Sequence, residues 1–502
     1  LNLDSFPWLS SLIVLPMAAA ALCLLLRHHP RVSRWIALVT TLAILVTAVG
    51  LFVTGGGQGG WLRYEDHPWI IPFGIRYTLG LDGISLLLVL LTALTQLLAI
   101  VISWRRKYQV AIFFSMLLFM EGGIMGVFLA LDLFLFYLFW EVMLIPMFFL
   151  IGVWGHERRV YAAVKFFIFT MAGSLLMLLA IIALYLLHGQ QTGEYTFALA
   201  ALQQTDIPGA IEPWLYAAFL LAFVVKVPLV PLHTWLPDAH TEAPTAGSLD
   251  LAGLLLKTGL YGLIRIAFPL FPEMAQASFP LLAVLALTGI FYAAWIAYAQ
   301  HDLKRLIAYS SVAHVGFMVL GFCAWDAIAM EGSVLQMFNH GITTGALFIM
   351  AGMIQHRAET RDLGQLGGLW GRVPILSFFF LFFSLASLGL PGLNNFAGEI
   401  LILLGVFRVN PLWGALALGG VVFAAAYMLR AVQGVIWGPP GPMKHAECWV
   451  DLEPREMLVL VPLALLVLWL GLYPEPFLAP IREPVQRLLG GTSLLALKGG
   501  MP

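Results

Sequence analysis

The chain has 502 residues, 61% of them hydrophobic and only 11% charged, with a mean hydropathy of +0.92 and a net charge of −1. Soluble domains carry about 25% charged residues, so a water-soluble fold is excluded. A near-neutral chain also gives no electrostatic footing for nucleic acid. Apolar runs recur at about 20 residues, the length a helix needs to cross a hydrocarbon core of roughly 30 Å. They are too long and too uniformly apolar for barrel strands. The expected class is therefore an all-α polytopic membrane protein. In chain order, fourteen spans are expected near 6–26, 34–54, 82–103, 110–130, 132–152, 163–187, 213–235, 247–267, 279–299, 304–323, 330–355, 373–405, 410–437 and 456–474. The first run lacks a basic leader and a small-residue cleavage site, so it reads as a retained helix. Residues 55–81, Gly-rich with short alternating pieces, read as an extramembrane hairpin.

Basic residues test that count. Arg27/Arg31/Arg34, Arg105/Arg106/Lys107, Arg158/Arg159/Lys165, Lys304/Arg305, Arg357/Arg361/Arg372 and Arg430/Lys444/Arg455 fall in alternate connections. The other connections hold only Arg63, Arg76 and Arg408. By the positive-inside rule, both termini are expected on the outer face. Arg482, Arg487 and Lys498 in the C-terminal tail count against it. Cys23, Cys323 and Cys448 stand far apart, and no metal or iron–sulfur ligand spacing is present. No redox group or other cofactor is expected in this chain.

A charge at mid-membrane costs at least ~2.5–3.5 kcal/mol on insertion scales, so each one asks for a reason. Lys226 lies in LLAFVVKVPLVPLHTWLPDAH and Lys257 in LDLAGLLLKTGLYG. Neither is close enough to an expected helix end to snorkel. Each reads as a titrating relay group or as a structural lysine tied to a carboxylate. Glu141, in LFLFYLFWEVMLIPMFF, is the natural counter-ion for one of them, and Glu399, in LGLPGLNNFAGEILILLG, is a fourth candidate. Pro228 and Pro231 follow Lys226, while Pro391 and Gly392 precede Glu399 by about two turns. Proline inside a helix breaks it at a cost of ~3 kcal/mol, and membrane proteins tolerate such breaks where backbone lines a cavity or site. One charged break thus falls in each half of the chain, separated by about five spans, which implies inverted repeats.

His314 and His340 fall between these halves and suit a relay, since imidazole both accepts and donates near neutral pH. They suit helix–helix hydrogen bonding equally well. Ser310, Ser311, Thr343 and Thr344 stand beside them. His233 adjoins the Pro-rich break and reads as structural or functional alike. Glu121, mid-helix in the fourth span, is a weaker candidate. Asp250 is seven residues before Lys257, expected on the same face, as a proton guide or as a helix cap. Arg265 is expected to snorkel at the outer end of the eighth span. The stretch PDAHTEAPTAGS, with Asp238, His240 and Glu242, reads as a tight inner-face turn.

Four stretches carry a family resemblance: VKVPLVPLHTWLPDAHTEAPTAGSLDLAGLLLKTGLYGLIR, FYLFWEVMLIPMFFLIGVWG, HDLKRLIAYSSVAHVGF and LGLPGLNNFAGE. Together they resemble the antiporter-like, proton-pumping subunits of respiratory complex I, NADH:quinone oxidoreductase, over about residues 30–480. Glutamate rather than lysine at position 399 resembles the M branch of bacterial enzymes. The resemblance implies two inverted five-helix repeats. The chain then divides into 1–109, 110–267, 268–437 and 438–502: an N-terminal part with the hairpin, repeat 1, repeat 2, and an inner loop with the last helix and tail. It further implies that Glu141 and Lys226 form the family's glutamate–lysine pair, that Lys257 is the central lysine and that Glu399 is the terminal proton-exchanging residue. His314 and His340 match polar positions of the central axis. The role of Glu121 stays open, because some relatives carry an apolar residue there. FMN, iron–sulfur clusters and quinone are implied in partner subunits, L-type and N-type neighbours in the same bacterial inner membrane, with lipid around them. A multisubunit cation/proton antiporter or a ferredoxin-fed relative is the alternative.

Overall fold

The computed structural model describes residues 6–54, 60–439 and 449–490. Residues 55–59 of the expected hairpin, Lys444, Cys448 and Lys498 lie outside the described residues. The chain opens with α1 (Trp8–Leu25) and α2 (Pro30–Thr54), then an antiparallel hairpin of β1 (Arg63–Ile70) and β2 (Ile75–Leu81). The hairpin end of the molecule is anchored by Glu65, which accepts from the N–H groups of Leu9 (2.7 Å) and Ser10 (3.0 Å). Next come α3 (Gly83–Ile102), α4 (Val110–Leu129), α5 (Leu133–Val142), α6 (Leu144–Trp154), α7 (Arg159–Thr192) and the single turn α8 (Leu199–Leu202). Several helices begin where the sequence places an aspartate just before an apolar run. The carboxylate of Asp82 accepts from Ser85 N, that of Asp132 from Phe134 N and Leu135 N, and those of Asp302 and Asp326 likewise cap the helices that follow them. Each satisfies backbone donors that would otherwise be orphaned.

The Pro-rich segment after Lys226 is a true break. α9 (Glu212–Lys226) stops at the lysine, residues 227–234 form turns, and α10 (Trp235–Glu242) resumes the helix. Lys226 is therefore at a helix C-terminus after all, inside the protein rather than at its surface, where the negative end of the helix dipole favours a cation. The expected turn over PDAHTEAPTAGS is mostly helix: α10 covers its first half, and α11 (Thr245–Asp250) begins after a bend at Ala243 and the extended Pro244. From there the chain runs on through a π-turn (Leu251–Leu255), α12 (Leu256–Gly262), a second π-turn (Leu263–Ala267) and α13 (Phe268–Leu270).

The second half holds α14 (Pro272–Ala299), α15 (Leu303–Ala324), α16 (Ala327–Ala358), α17 (Pro374–Ser387), α18 (Asn394–Val409) and α19 (Pro411–Val432). The break between α17 and α18 turns on Gly389 and Gly392, with φ of 79° and 90°, a region side chains avoid. After α20 (Pro454–Leu472), the C-terminal tail forms an amphipathic helix, α21 (Glu475–Leu489), with Phe477, Leu478, Ile481 and Val485 buried. Arg482 pairs with Glu475 at 2.6 Å and approaches Glu331, and Arg487 pairs with Glu483. Each of these two arginines thus has a carboxylate partner within the tail helix itself.

Among the described residues, twelve helices are long and apolar enough to cross a membrane. The basic connections gather at the end opposite the hairpin. There Lys165 pairs with Asp238 (2.7 Å), Arg105 with Glu453 (2.5 Å), Arg357 with Glu456 (2.6 Å) and Arg361 with Asp302 (3.1 Å). Lys304, expected in a loop, is instead 1% exposed and donates to Ala243 O at 3.1 Å. The stretch 245–270, α15 and α16 are almost wholly enclosed by the other helices, so an unpaired polar side chain on them carries a desolvation cost.

Candidate functional site

The interior stretch 245–270 carries Lys257, which has no exposure to solvent. The π-turn just before it opens the regular ladder, and Lys257 Nζ donates to the freed carbonyl of Ala252. The same Nζ lies 2.7 Å from His340 Nδ1 on α16. The His340 and His314 rings meet with centroids 5.7 Å apart at 60°. His314 Nδ1 lies 2.9 Å from Glu399 Oε1, and Gln336 Nε2 donates to the same oxygen at 3.1 Å. Four of the expected residues therefore form one buried axis, Lys257–His340–His314–Glu399, drawn from four different helices. The two outer steps are hydrogen bonds, whereas the two imidazoles meet by ring contact, with no hydrogen bond between them among the described residues.

Thr343 apart, the axis is braced by side chains the sequence reading did not single out. Tyr427 OH lies 3.3 Å from His314 Nε2 on the side away from Glu399. At the second break, Asn394 Nδ2 donates to Asn339 O (3.1 Å), Asn339 Nδ2 donates to Asn394 O (2.7 Å), and Thr343 Oγ1 donates to Asn394 Oδ1 (2.9 Å). Gln336, Asn339, His340 and Thr343 follow one another at helical spacing on α16, a polar stripe that periodicity alone reveals. Tyr427 has no such signal. Ser310 and Ser311 bond back to Ile307 O on their own helix.

The other expected residues sit elsewhere. Lys226 is buried beneath Trp140, Nζ 4.7 Å from the ring centre, and has no hydrogen-bond partner among the described residues. Glu141, expected as its counter-ion, lies within electrostatic reach but not in contact: among the described residues no ion pair within 4.0 Å joins them. Trp140 fills the role in part, because an aromatic face attracts a cation at this range. Asp250 is fully buried and caps nothing, since its helix starts at Thr245. The π-turn also parts the faces of Asp250 and Lys257. Asp250 lies beside Gln96 of α3 and within reach of Glu121, whereas Lys257 meets His340. Both carboxyls of Glu121 and Asp250, and the amide of Gln96, find no hydrogen-bond partner among the described residues. His233 lies in the first break against the rings of Tyr292 (5.4 Å) and Tyr309 (6.3 Å), apart from the axis. His240, expected in a loop, is fully buried and stacks on Phe348 with centroids 4.5 Å apart. Among the described residues no group of three or more His, Cys, Asp or Glu side chains could hold a metal.

Comparison with known proteins places this geometry in a family. The model of the family described as NADH:quinone oxidoreductase/Mrp antiporter, TM, matches residues 130–424. NADH-quinone oxidoreductase subunit M of Pseudomonas aeruginosa is 44% identical over 503 residues, covering 96% of this chain and 98% of its own length. The subunit M of Escherichia coli K12 is 44% identical over 487 residues, covering 94% and 95%. A chain of respiratory complex I from Thermus thermophilus with bound NADH superposes with a TM-score of 0.86 at 33% identity, covering 96% of this chain and all of that one. A chain of the Mrp complex from Dietzia sp. DQ12-45-1b matches with a TM-score of 0.85 at 20% identity, a likeness of fold alone.

Proposed function

The chain belongs to the NADH:quinone oxidoreductase/Mrp antiporter membrane family, among the subunit M relatives, and from that premise we propose that protons cross it along Lys257, His340, His314 and Glu399. It is a proton-translocating membrane subunit of NADH-quinone oxidoreductase. The observation that carries the proposed path is the unbroken sequence of contacts from Lys257 Nζ to Glu399 Oε1. Protons reach Lys226 and Lys257 from the basic end, pass through the two imidazoles, and leave from Glu399 beside the second break. Imidazole suits this role because each ring both accepts and donates.

In this reading fourteen spans cross the membrane, each break joining two half-helices into one crossing. The two breaks are the corresponding parts of two inverted repeats, 110–267 and 268–437. Both termini lie on the outer face of a bacterial inner membrane. Glu141 and Lys226 act as a control pair that is open in this structure. Closing it stabilises the protonated lysine, and opening it favours release. Moving one charge against 100 mV costs about 2.3 kcal/mol, a difference that making and breaking one buried ion pair can supply. The energy comes from electron transfer through flavin, iron–sulfur clusters and quinone in other subunits, with L-type and N-type chains as membrane neighbours.

The test uses the purified complex in proteoliposomes. Glu399→Gln and Lys257→Met are expected to lower the number of protons moved per electron while NADH oxidation in detergent persists. An unchanged ratio in fully assembled enzyme overturns the path. The family description also names Mrp antiporters. Proton movement that requires sodium and no electron donor would favour that reading instead.

A further inference from the structure

Arg265, expected to snorkel, does the opposite. Its guanidinium turns inward with a side chain only 11% exposed and pairs with Asp82, the aspartate that caps α3. Arg265 Nε also donates to Tyr261 OH at 3.2 Å. Tyr261 OH in turn donates to Phe128 O at 3.0 Å and lies 3.1 Å from Ser85 Oγ. The second carboxylate oxygen of Asp82 accepts from Ser85 N at 2.9 Å. Lys257, Tyr261 and Arg265 follow each other four residues apart, the spacing of one helix face. The cluster therefore stands directly between Lys257 and the hairpin end. It is roofed over as well. The Trp61 ring centre is 5.6 Å from the guanidinium carbon, and the carbonyl of Pro480 on α21 occupies the space where Gly83 would carry a side chain.

The two sides of Lys257 differ in kind. Toward the basic end, Gln96, Glu121, Asp250 and the His240 ring have polar atoms without hydrogen-bond partners among the described residues. Toward the hairpin end, the cluster's principal polar groups are paired among themselves or with backbone. A permanent cation in a fully paired network neither accepts a proton nor tolerates one passing.

We propose that Arg265, with Asp82, Tyr261 and Ser85, is an electrostatic seal that closes the hairpin end of the Lys257 helix to protons and leaves His340 as their only onward route. This rests on the path proposed above. The expected size follows from geometry. Eight helical residues separate Lys257 from Arg265, about 12 Å of rise, and a unit charge at that range in an effective dielectric of about 20 contributes roughly 1.4 kcal/mol, or tenfold in rate. Removing the guanidinium also leaves Asp82 unpaired as a proton acceptor, which acts in the same direction.

The experiment imposes a pH gradient on proteoliposomes holding the whole complex, without NADH, and follows its decay. Arg265→Met is expected to speed decay about tenfold, Arg265→Lys to restore tightness, and Arg265→Met/Lys257→Met to abolish the leak. With NADH present, Arg265→Met oxidises it at or above the normal rate with fewer protons retained. Unchanged decay in assembled Arg265→Met enzyme overturns the seal. So does slowed, tightly coupled turnover without a leak, which makes the cluster an exit. Because the gradient decay needs no pumping, it reports on the seal even where the Glu399 variants leave the proton ratio intact.

Discussion

The clasp between Asn339 and Asn394 shows how a polar axis is held inside an apolar bundle. Two side-chain amides each bond to the other residue's backbone, and Thr343 donates to the amide oxygen of Asn394. Asn394→Ala removes two of these three bonds and leaves Thr343 Oγ1 without its partner on the facing helix. The expected loss is about 1–3 kcal/mol, read as a lower melting temperature of the complex, with a reduced proton-to-electron ratio because the break next to Glu399 loosens. At this scale the sequence exposed residue types better than their partners. Lys226, Lys257, His314, His340 and Glu399 each announce themselves as ionisable groups in apolar runs. Nothing in the runs discloses that Lys226 lies under Trp140, that Glu141 stays out of contact, or that Arg265 turns inward, because those outcomes depend on which helices are neighbours.

Helices α16 and α18 approach closely at Gly332. A methyl group there would come within 2.7 Å of both Ile402 N and Leu401 Cβ and 3.0 Å of Gly398 O. Backbone cannot yield as a flexible side chain can, so Gly332→Ala is expected to force the helices apart. The cost is about 1–3 kcal/mol of overpacking, together with a lengthened Gln336–Glu399 bond. Thermal denaturation and the proton ratio measure the two effects, and a methyl accepted without change in either contradicts this packing. Both helix breaks were legible, because proline and glycine act on their own helix through local sterics. The helical α10 was not, since a stretch rich in proline and polar residues reads as a turn until its tertiary surroundings are known. Nor was α21, an apolar stripe interrupted by Pro480 and Pro484.

The whole molecule is electrically sorted, with the basic connections at one end and the hairpin, beside the Asp82 and Asp132 caps, at the other. At the basic end His156 donates its backbone N–H to Glu242 O at 2.9 Å, and its ring lies 3.5 Å from Lys304 Nζ. Burial first, and then Lys304, Arg361 and Arg106, push the imidazole down to about 4. The unfolded value is near 6.5, so between those limits the unfolded chain binds more protons than the folded one. The stabilisation is complete above about pH 6.5 and is lost as pH falls toward 4. The melting temperature of the solubilised protein is expected to drop across that window, and His156→Gln is expected to flatten the drop. The charge alternation that revealed this polarity was legible because it is a property of whole loops. The burial of Lys304 among them was not, as it requires α10 to fold back against α15.

The two π-turns in the stretch 245–270 have a consequence for phase. A π-turn spends one more residue per turn than an α-turn, so everything beyond it is rotated by about 100° relative to an uninterrupted helix. Lys257 faces His340 only because one such residue has been spent before it, whereas Arg265 lies inside the second π-turn, at 263–267. The helix works as a vernier: losing a single residue from 251–255 would swing Lys257 off its histidine without altering one polar side chain.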